Sequence, residues 1–471
     1  MKLAIFVVVS RERPGFPIHF DTQTYVQPAL ALLKAGTFSP SPAEVPTPEV
    51  NRTPGYPVFL ALVMRLFGEG LVAPGMANIV FSTLAALAVG ALAFRFFGGR
   101  AALVATPVAT LDPAIWQNSM AVTTEPLFCL LMIAGLASLV VSFTDPARAN
   151  AAAAAGGVLL ALATLVRPIL VPALPLFALL VAWGQHRLGA RRGRCLVVAA
   201  LFTLGPLAGV GGWMVRNWLR AGDFTMSWVS VSDLYFVRAA AVEAAVKGVR
   251  LQEVMDSPER REMKFRLGYV RDEFGEFGGR TYAALYPRNA HRPLADLVSE
   301  WRTESVRTLR AHPWTALAMT ARSAVELLFF PSSATLFLFR AGFLSPGPEL
   351  ERAWFSLDGA DVLRVLRDLY PMAFWLSVAS TVWLLAVWTA VLRGLRSLHR
   401  PWADPVHLLL VGTSLYLVAV SSGPAAMEDR LRVPIVVLLA VYAGARNGKS
   451  PGPTGPGAAV SGSPASAGGP G

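Results

Sequence analysis

Charged residues are scarce in this chain, and the few that stand beside apolar runs have types that can do chemistry together. Asp21 in "FPIHFDTQTY" and Glu125 in "MAVTTEPLFCLL" are carboxylates; Arg52, Arg167, Arg216 and Arg430 are guanidinium groups, with Asn217 beside the third of them. A carboxylate held near a membrane surface can take the proton of an attacking hydroxyl. Guanidinium groups can grip a phosphate leaving group through paired hydrogen bonds and neutralise its developing charge. That pairing suits transfer of a group from a lipid phosphate. Ordinary roles compete with it. Asp21 is equally at home as a solvated loop acid. Glu125 follows Thr123 and Thr124 and has the place of a helix N-terminal acid favoured by the macrodipole, the reading that its local sequence favours. Arg167 and Arg430 are harder to explain as anchors, because outward arginines oppose the charge bias that orients membrane helices. Tyr56 lies between Pro54 and Pro57 in "NRTPGYPVFLALVMRLFG", a stiff turn entering an apolar helix. It serves there as a loop-to-helix junction or as part of a binding edge.

The elements that must position these residues are membrane helices. Of 471 residues 54% are hydrophobic and 15% charged, and the mean hydropathy is +0.49, which together exclude an ordinary soluble domain. Apolar runs near the ~20 residues that cross a bilayer recur along most of the chain, too many for one anchor or signal peptide. The fold class is all-α and polytopic. Spans are expected at roughly 71–94, 101–116, 121–143, 151–166, 168–184, 195–215, 370–392, 405–422 and 432–446. The net charge of +12 is mostly arginine in short loops, where it orients helices, so nucleic acid is not an expected partner. Cys129 and Cys195 have neither disulfide nor metal-ligand spacing. No P-loop, dinucleotide fingerprint, nucleophile elbow or His/Cys metal cluster stands in a supporting context.

Two basic connectors, "GQHRLGARRGR" and "RGLRSLHR", should lie in the cytoplasm. Counting crossings from them puts Asp21, Arg52, Glu125, Arg167, Arg216, Asn217, Glu428 and Arg430 on the outer face. The chain then divides into a partial first span and first outer loop (1–70), a transmembrane core (71–216), an outer segment (217–369), the last spans (370–446) and a Pro/Gly/Ser/Ala-rich cytoplasmic tail (447–471) expected to be disordered. Within the outer segment, Leu294, Leu297, Val298 and Trp301 recur at helical spacing among charges, which predicts an amphipathic helix packed on the membrane domain. The apolar stretch 313–340 carries Arg322 and Glu326, and one more crossing would turn a basic loop outward. It is expected to be interfacial or re-entrant. An outside Asp21 needs a preceding span, and "MKLAIFVVVS" is about half the required length; part of a first helix is therefore expected to precede Met1.

In order along the chain, "HFDTQTY", "ALLKAGTFS", "NRTPGYPVFLALVMRLFG", "TTEPLFCLL", "GVLLALATLVRPILVPALPL", "VRNWLRAGDF" and "EDRLRVPIVVLLA" resemble the polytopic GT-C glycosyltransferases. The resemblance is to bacterial members related to protein O-mannosyltransferases and to the aminoarabinose transferase of lipid A, and the segment from about 240 to 370 adds little to it. It implies a GT-C-type transmembrane bundle in the inner (cytoplasmic) membrane, a polyprenyl-phosphate-linked sugar donor, and inverting transfer to a protein, lipid or glycan acceptor on the outer side. It also implies that Asp21 is the first-loop catalytic base, that Glu125 is the acid opening a later helix, and that Arg52, Arg167 and Arg430 handle the lipid phosphate or the loop around it. Tyr56, Arg216 and Asn217 complete the expected donor-binding set. Two departures stand out. Relatives often carry adjacent acids in the first loop, whereas Thr22 follows Asp21 here and Glu125 would have to serve as the second carboxylate. Asn51 stands where some relatives have an acid or histidine, so no ligand set for a divalent cation is carried over and the cofactor is left open. Other classes remain: a lipid or glycan transporter or flippase, which would spread its charges along a central path rather than gather them at one face, or a non-catalytic GT-C relative.

Overall fold

The computed structural model describes residues 1–445 except residues 20, 41–47, 268–285, 287, 290, 346, 356–358, 399–400 and 426–428. The expected disordered tail 447–471 and Glu428 lie outside the described residues. In chain order the helices that matter for the site are α1 (Lys2–Glu12), α2 (Thr22–Ala35), α3 (Gly55–Phe67), α4 (Val72–Phe97), α5 (Gly99–Leu111), α6 (Pro113–Ser119), α7 (Glu125–Thr144), α8 (Ala149–Val166) and α9 (Ala173–Arg187). They continue with α10 (Arg192–Ala221) and with α11 (Leu294–Ala311), α12 (Pro313–Phe329), α13 (Ser332–Arg340), α14 (Pro371–Arg396), α15 (Pro405–Ser421) and α16 (Val433–Leu439). No strand occurs among the described residues. The protein is an all-α, multi-pass membrane protein: α4, α7, α8, α10 and α14 are each long and apolar enough to cross a bilayer. α7 and α8 sit centrally with 56% of their apolar windows buried, whereas α10, at 22%, presents most of its surface outward.

Small residues hold the bundle together. Lipid tails are as apolar as leucine, so helices associate in a membrane by close van der Waals approach rather than by hydrophobic burial. The run "ANAAAAAGGVLLALATLV" makes α8 a smooth helix that α7 and α10 can approach. A Cβ added to Gly157 would lie 2.0 Å from the Phe202 carbonyl oxygen, and one on Gly205 would lie 2.5 Å from the Gly157 carbonyl carbon. The two backbones therefore touch, which only glycine permits.

Several expected spans are broken, each for a local reason. The stretch 101–116 is two helices, because Pro113 excludes helical geometry from Asp112, whose carboxylate instead caps α6 by accepting from the N–H groups of Ala114 and Ile115 at 2.9 and 3.3 Å. The expected span at 121–143 begins only at Glu125. The span at 168–184 opens as a short 3₁₀ turn, Pro168–Leu170, before α9. The run 432–446 contains only α16 followed by another 3₁₀ turn.

The 294–311 stretch is a single helix, α11, whose Leu297, Val298 and Trp301 are buried. These residues pack with Trp228, Tyr235 and Met263 of the segment 217–369 and with Val50 of the loop between α2 and α3. The apolar stretch 313–340 is divided at Phe330 and Pro331 into α12 and α13, of 17 and 9 residues. Arg322 and Glu326 pair along α12 at 2.8 Å. α13 turns back against α6 and α14.

Candidate active site

Residues from four distant parts of the chain meet at one end of the bundle. Asp21 ends the first loop as the residue before α2, and its side chain makes no helix cap; the carboxylate is thereby left to face arginines. Its Oδ1 accepts from Arg52 Nη2 at 2.9 Å, and its Oδ2 pairs with Arg430 Nη1 at 2.7 Å. Glu125, the first residue of α7, is wholly buried. It is ion-paired with Arg167, and Arg430 Nε lies 3.9 Å from its Oε1. Arg430 therefore bridges both acids, giving a continuous row Arg52, Asp21, Arg430, Glu125, Arg167.

Local sequence explains how each member is aimed. Pro168 forces the preceding Arg167 out of helical geometry, to φ −139 and ψ 122, so α8 stops at Val166 and the Arg167 side chain reaches Glu125 and the Thr124 hydroxyl. Thr53 donates to the Val166 carbonyl at 3.1 Å and fastens the loop carrying Arg52 to the same corner. The Arg52 guanidinium lies 4.6 Å from the centre of the Tyr25 ring and donates to the Tyr25 hydroxyl at 3.1 Å, which fixes its angle toward Asp21. Thr22 ties the first loop to the turn before α7 by donating to the Val122 carbonyl at 3.0 Å.

The electrostatics follow from these contacts. Burial works against a charge on Asp21, but Arg430 and then Arg52 outweigh it and hold the carboxyl well below the ordinary carboxylate range. Burial, reinforced by Arg430, lowers His19 to about 4 against the opposing pull of Asp21 and Glu125. Three cations facing two anions leave one positive charge in a largely desolvated place, a setting that favours an anionic ligand.

Other expected site residues are occupied elsewhere. Tyr56 is completely buried: its hydroxyl accepts from Asn78 Nδ2 at 3.0 Å and its ring meets Tyr25 edge-on at 5.4 Å. It supports Tyr25 from behind rather than facing the row of charges. Arg216 donates to the carbonyls of Glu49 and Phe38 and to Asn217 Oδ1, while Asn217 donates to the Thr225 and Met226 carbonyls. These two brace the loop between α2 and α3 against the end of α10, and among the described residues no hydrogen bond or ion pair joins them to Asp21 or Glu125.

Two arginines that sequence reasoning passed over position the site. Arg432 is fully buried, donates to the Leu327 and Phe330 carbonyls at 2.9 and 3.1 Å, and has its Nε 3.7 Å from Asp112 Oδ2. It thereby pins the 3₁₀ turn Asp429–Arg432 that carries Arg430. Arg340, ending α13, donates to the Phe16 and Met120 carbonyls and so ties the first loop and the end of α6 to α13. The available signal was the spacing in "EDRLRVP", where a second arginine stands two residues nearer the apolar run.

Residues 51–213 match the family described as dolichyl-phosphate-mannose-protein mannosyltransferase. The match spans about a third of the chain and shows that this segment is similar to that family. The matched segment holds Arg52, Glu125 and Arg167, while Asp21 and Arg430 fall on either side of it. Among solved structures, the chain is similar to ArnT from Cupriavidus metallidurans bound to undecaprenyl phosphate at 16% identity, over 94% of this chain and 76% of that one, with a TM-score of 0.41. It is also similar to the archaeal oligosaccharyltransferase AglB from Archaeoglobus fulgidus, in complex with an inhibitory peptide and a dolichol-phosphate. That likeness is at 13% identity over 94% of this chain and half of that one, with a TM-score of 0.41. Similarities this remote bear no weight on the chemistry. No curated protein matches the chain. Among the described residues no three His, Cys, Asp or Glu side chains stand together as metal ligands.

Proposed function

We propose that this protein is a GT-C-type glycosyltransferase that transfers a sugar from a polyprenyl-phosphate-linked donor to a hydroxyl acceptor at the outer face of the cytoplasmic membrane, with inversion. The observation that supports the reading is Arg430 shared between Asp21 and Glu125. The acceptor oxygen attacks the sugar carbon, the bond from that carbon to the phosphate oxygen breaks, and the phosphate leaves with the electron pair. The acceptor proton passes to Asp21. A carboxylate gripped by two guanidinium groups is a weak base, so the resting pairing must loosen before it can act. An incoming phosphate competes for Arg430 and Arg52 and supplies the reason: as each arginine turns to the donor, Asp21 regains basicity at the moment it is needed. Glu125, itself held by Arg167, keeps Arg430 in reach throughout.

The test is turnover of a radiolabelled polyprenyl-phosphate sugar by the full-length protein in liposomes, read as released polyprenyl phosphate and labelled acceptor. Donor consumption that requires Asp21 supports the proposal. Movement of intact donor across the bilayer without bond cleavage would establish a flippase instead.

A further inference from the structure

A second cluster of arginines stands at the other end of the bundle. Arg100 opens α5, whose far end leads into Asp112 and so to the turn bearing Arg430. Thirteen helical residues separate the two ends, about 20 Å at 1.5 Å per residue. Around Arg100 lies a cleft of about 890 Å³, lined also by Arg393, Arg396 and Ser397 from the end of α14, by Leu103 and Val104, and by the turn 443–445. Its walls are tightly seated. A Cβ on Gly394 would fall 1.8 Å from the Tyr442 carbonyl oxygen, and one on Gly444 would fall 2.5 Å from Ala101 Cα.

Arginines at helix ends commonly extend into water one by one. This arrangement differs in two respects. The three guanidinium groups come from segments almost three hundred residues apart yet border one cleft, and none makes an ion pair or side-chain hydrogen bond among the described residues. The apolar flank is also unspent, with Leu103 77% exposed beside Val104 at 41%. Cations at the rim and an apolar wall toward the hydrocarbon have the shape of a site for an amphiphile with a phosphate head.

We propose that this cleft binds an anionic phospholipid of the surrounding leaflet, its phosphate between Arg100, Arg393 and Arg396 and its acyl chains along Leu103 and Val104. Ser397 also lines the cleft, but its hydroxyl donates to the Gly394 carbonyl at 2.7 Å, so the arginines carry the head-group contact. The site is independent of the sugar transfer proposed above. It holds a lipid in place rather than reacting with it, so the bundle end opposite Asp21 and Glu125 gains a fixed counter-charge beside these arginines.

Native mass spectrometry of the full-length protein, released from nanodiscs of mixed phosphatidylglycerol and phosphatidylcholine, tests this. Selective retention of phosphatidylglycerol is expected, falling roughly five-fold for each arginine replaced by glutamine, since a basic side chain at a charged membrane surface contributes about a factor of that size. The Arg100→Lys/Arg393→Lys/Arg396→Lys variant should keep most of the selectivity. If the triple glutamine variant does not fold, raising ionic strength on the wild-type protein should weaken selectivity in the same direction. Equal retention of both lipids, or selectivity untouched by the arginine changes and by salt, would overturn the proposal. Displacement of the lipid by millimolar inorganic phosphate would also overturn it, because the site would then be one for a free anion.

Discussion

Asp21→Asn separates chemistry from structure at the proposed centre. Asparagine keeps the shape and one oxygen acceptor, so the 2.9 Å contact from Arg52 Nη2 can persist as a hydrogen bond from a cation to a neutral acceptor. What is lost is the charge between Arg52 and Arg430 and the ability to take a proton. Arg430 retains Glu125, whose Oε1 is 3.9 Å from its Nε, and Arg52 retains the Tyr25 hydroxyl at 3.1 Å. The structural cost should therefore be that of weakened charged hydrogen bonds, about 1–3 kcal/mol, well short of unfolding a bundle of this size. Loss of a general base removes a factor of about 10²–10⁴ in rate, or roughly 3–5 kcal/mol of barrier at 1.36 kcal/mol per decade. Sugar released per minute from a labelled lipid-phosphate donor, measured beside thermal unfolding in the same lipid, separates the two quantities. Acid titration adds a check. Arginine pairing holds the Asp21 carboxyl below its ordinary value, so its stabilisation is present above the unfolded value near 3.9 and is lost as pH falls through the lower folded value. The variant should lack that acid-sensitive part. Wild-type turnover in a folded Asp21→Asn protein would refute the assignment.

Other consequences are equally open to measurement. Arg430→Ala should raise the KM for the donor more than it lowers kcat, and should destabilise by leaving Asp21 and Glu125 short of a cation; equal loss in both kinetic constants would argue against a donor-binding role. His19 is held neutral, with its value lowered to about 4. The unfolded chain therefore takes up a proton first, and stability should fall as pH drops from about 6.5 to 4, by at most about 3 kcal/mol. His19→Gln should flatten that slope in a thermal-shift titration. Gly157→Ala would set a methyl group 2.0 Å from the Phe202 carbonyl oxygen and should cost about 1–3 kcal/mol, or push α8 and α10 apart. An unchanged melting temperature would show that the contact is loose. Arg432→Met should lower activity without touching the proposed site, since it frees the turn that aims Arg430, and glutamine or lysine at that position should restore little of it.

The sequence by itself determined that this is a helical membrane protein, because length and apolarity of a run are properties of local chain and bilayer thickness alone. It also collected Asp21, Glu125, Arg167 and Arg430 on one face, since crossings can be counted from the basic connectors. Helix breaks at Asp112–Pro113 and Arg167–Pro168 are written locally too, although hydropathy averaging hides the first and merges α5 with α6. Partnership was not legible. Arg430 meets Asp21 across more than four hundred residues, and nothing in either segment's composition separates that pairing from one with Arg216, which instead spends its guanidinium on Glu49, Phe38 and Asn217. Tyr56 shared its stretch with Arg52, yet one helical turn put it behind Tyr25 and against Asn78 rather than beside the charges. Side-chain direction and long-range contact depend on how α2, α3, α7 and α8 pack together. The sequence could thus name the charged residues gathered at one end of the bundle, while only tertiary structure decided which of them share a carboxylate.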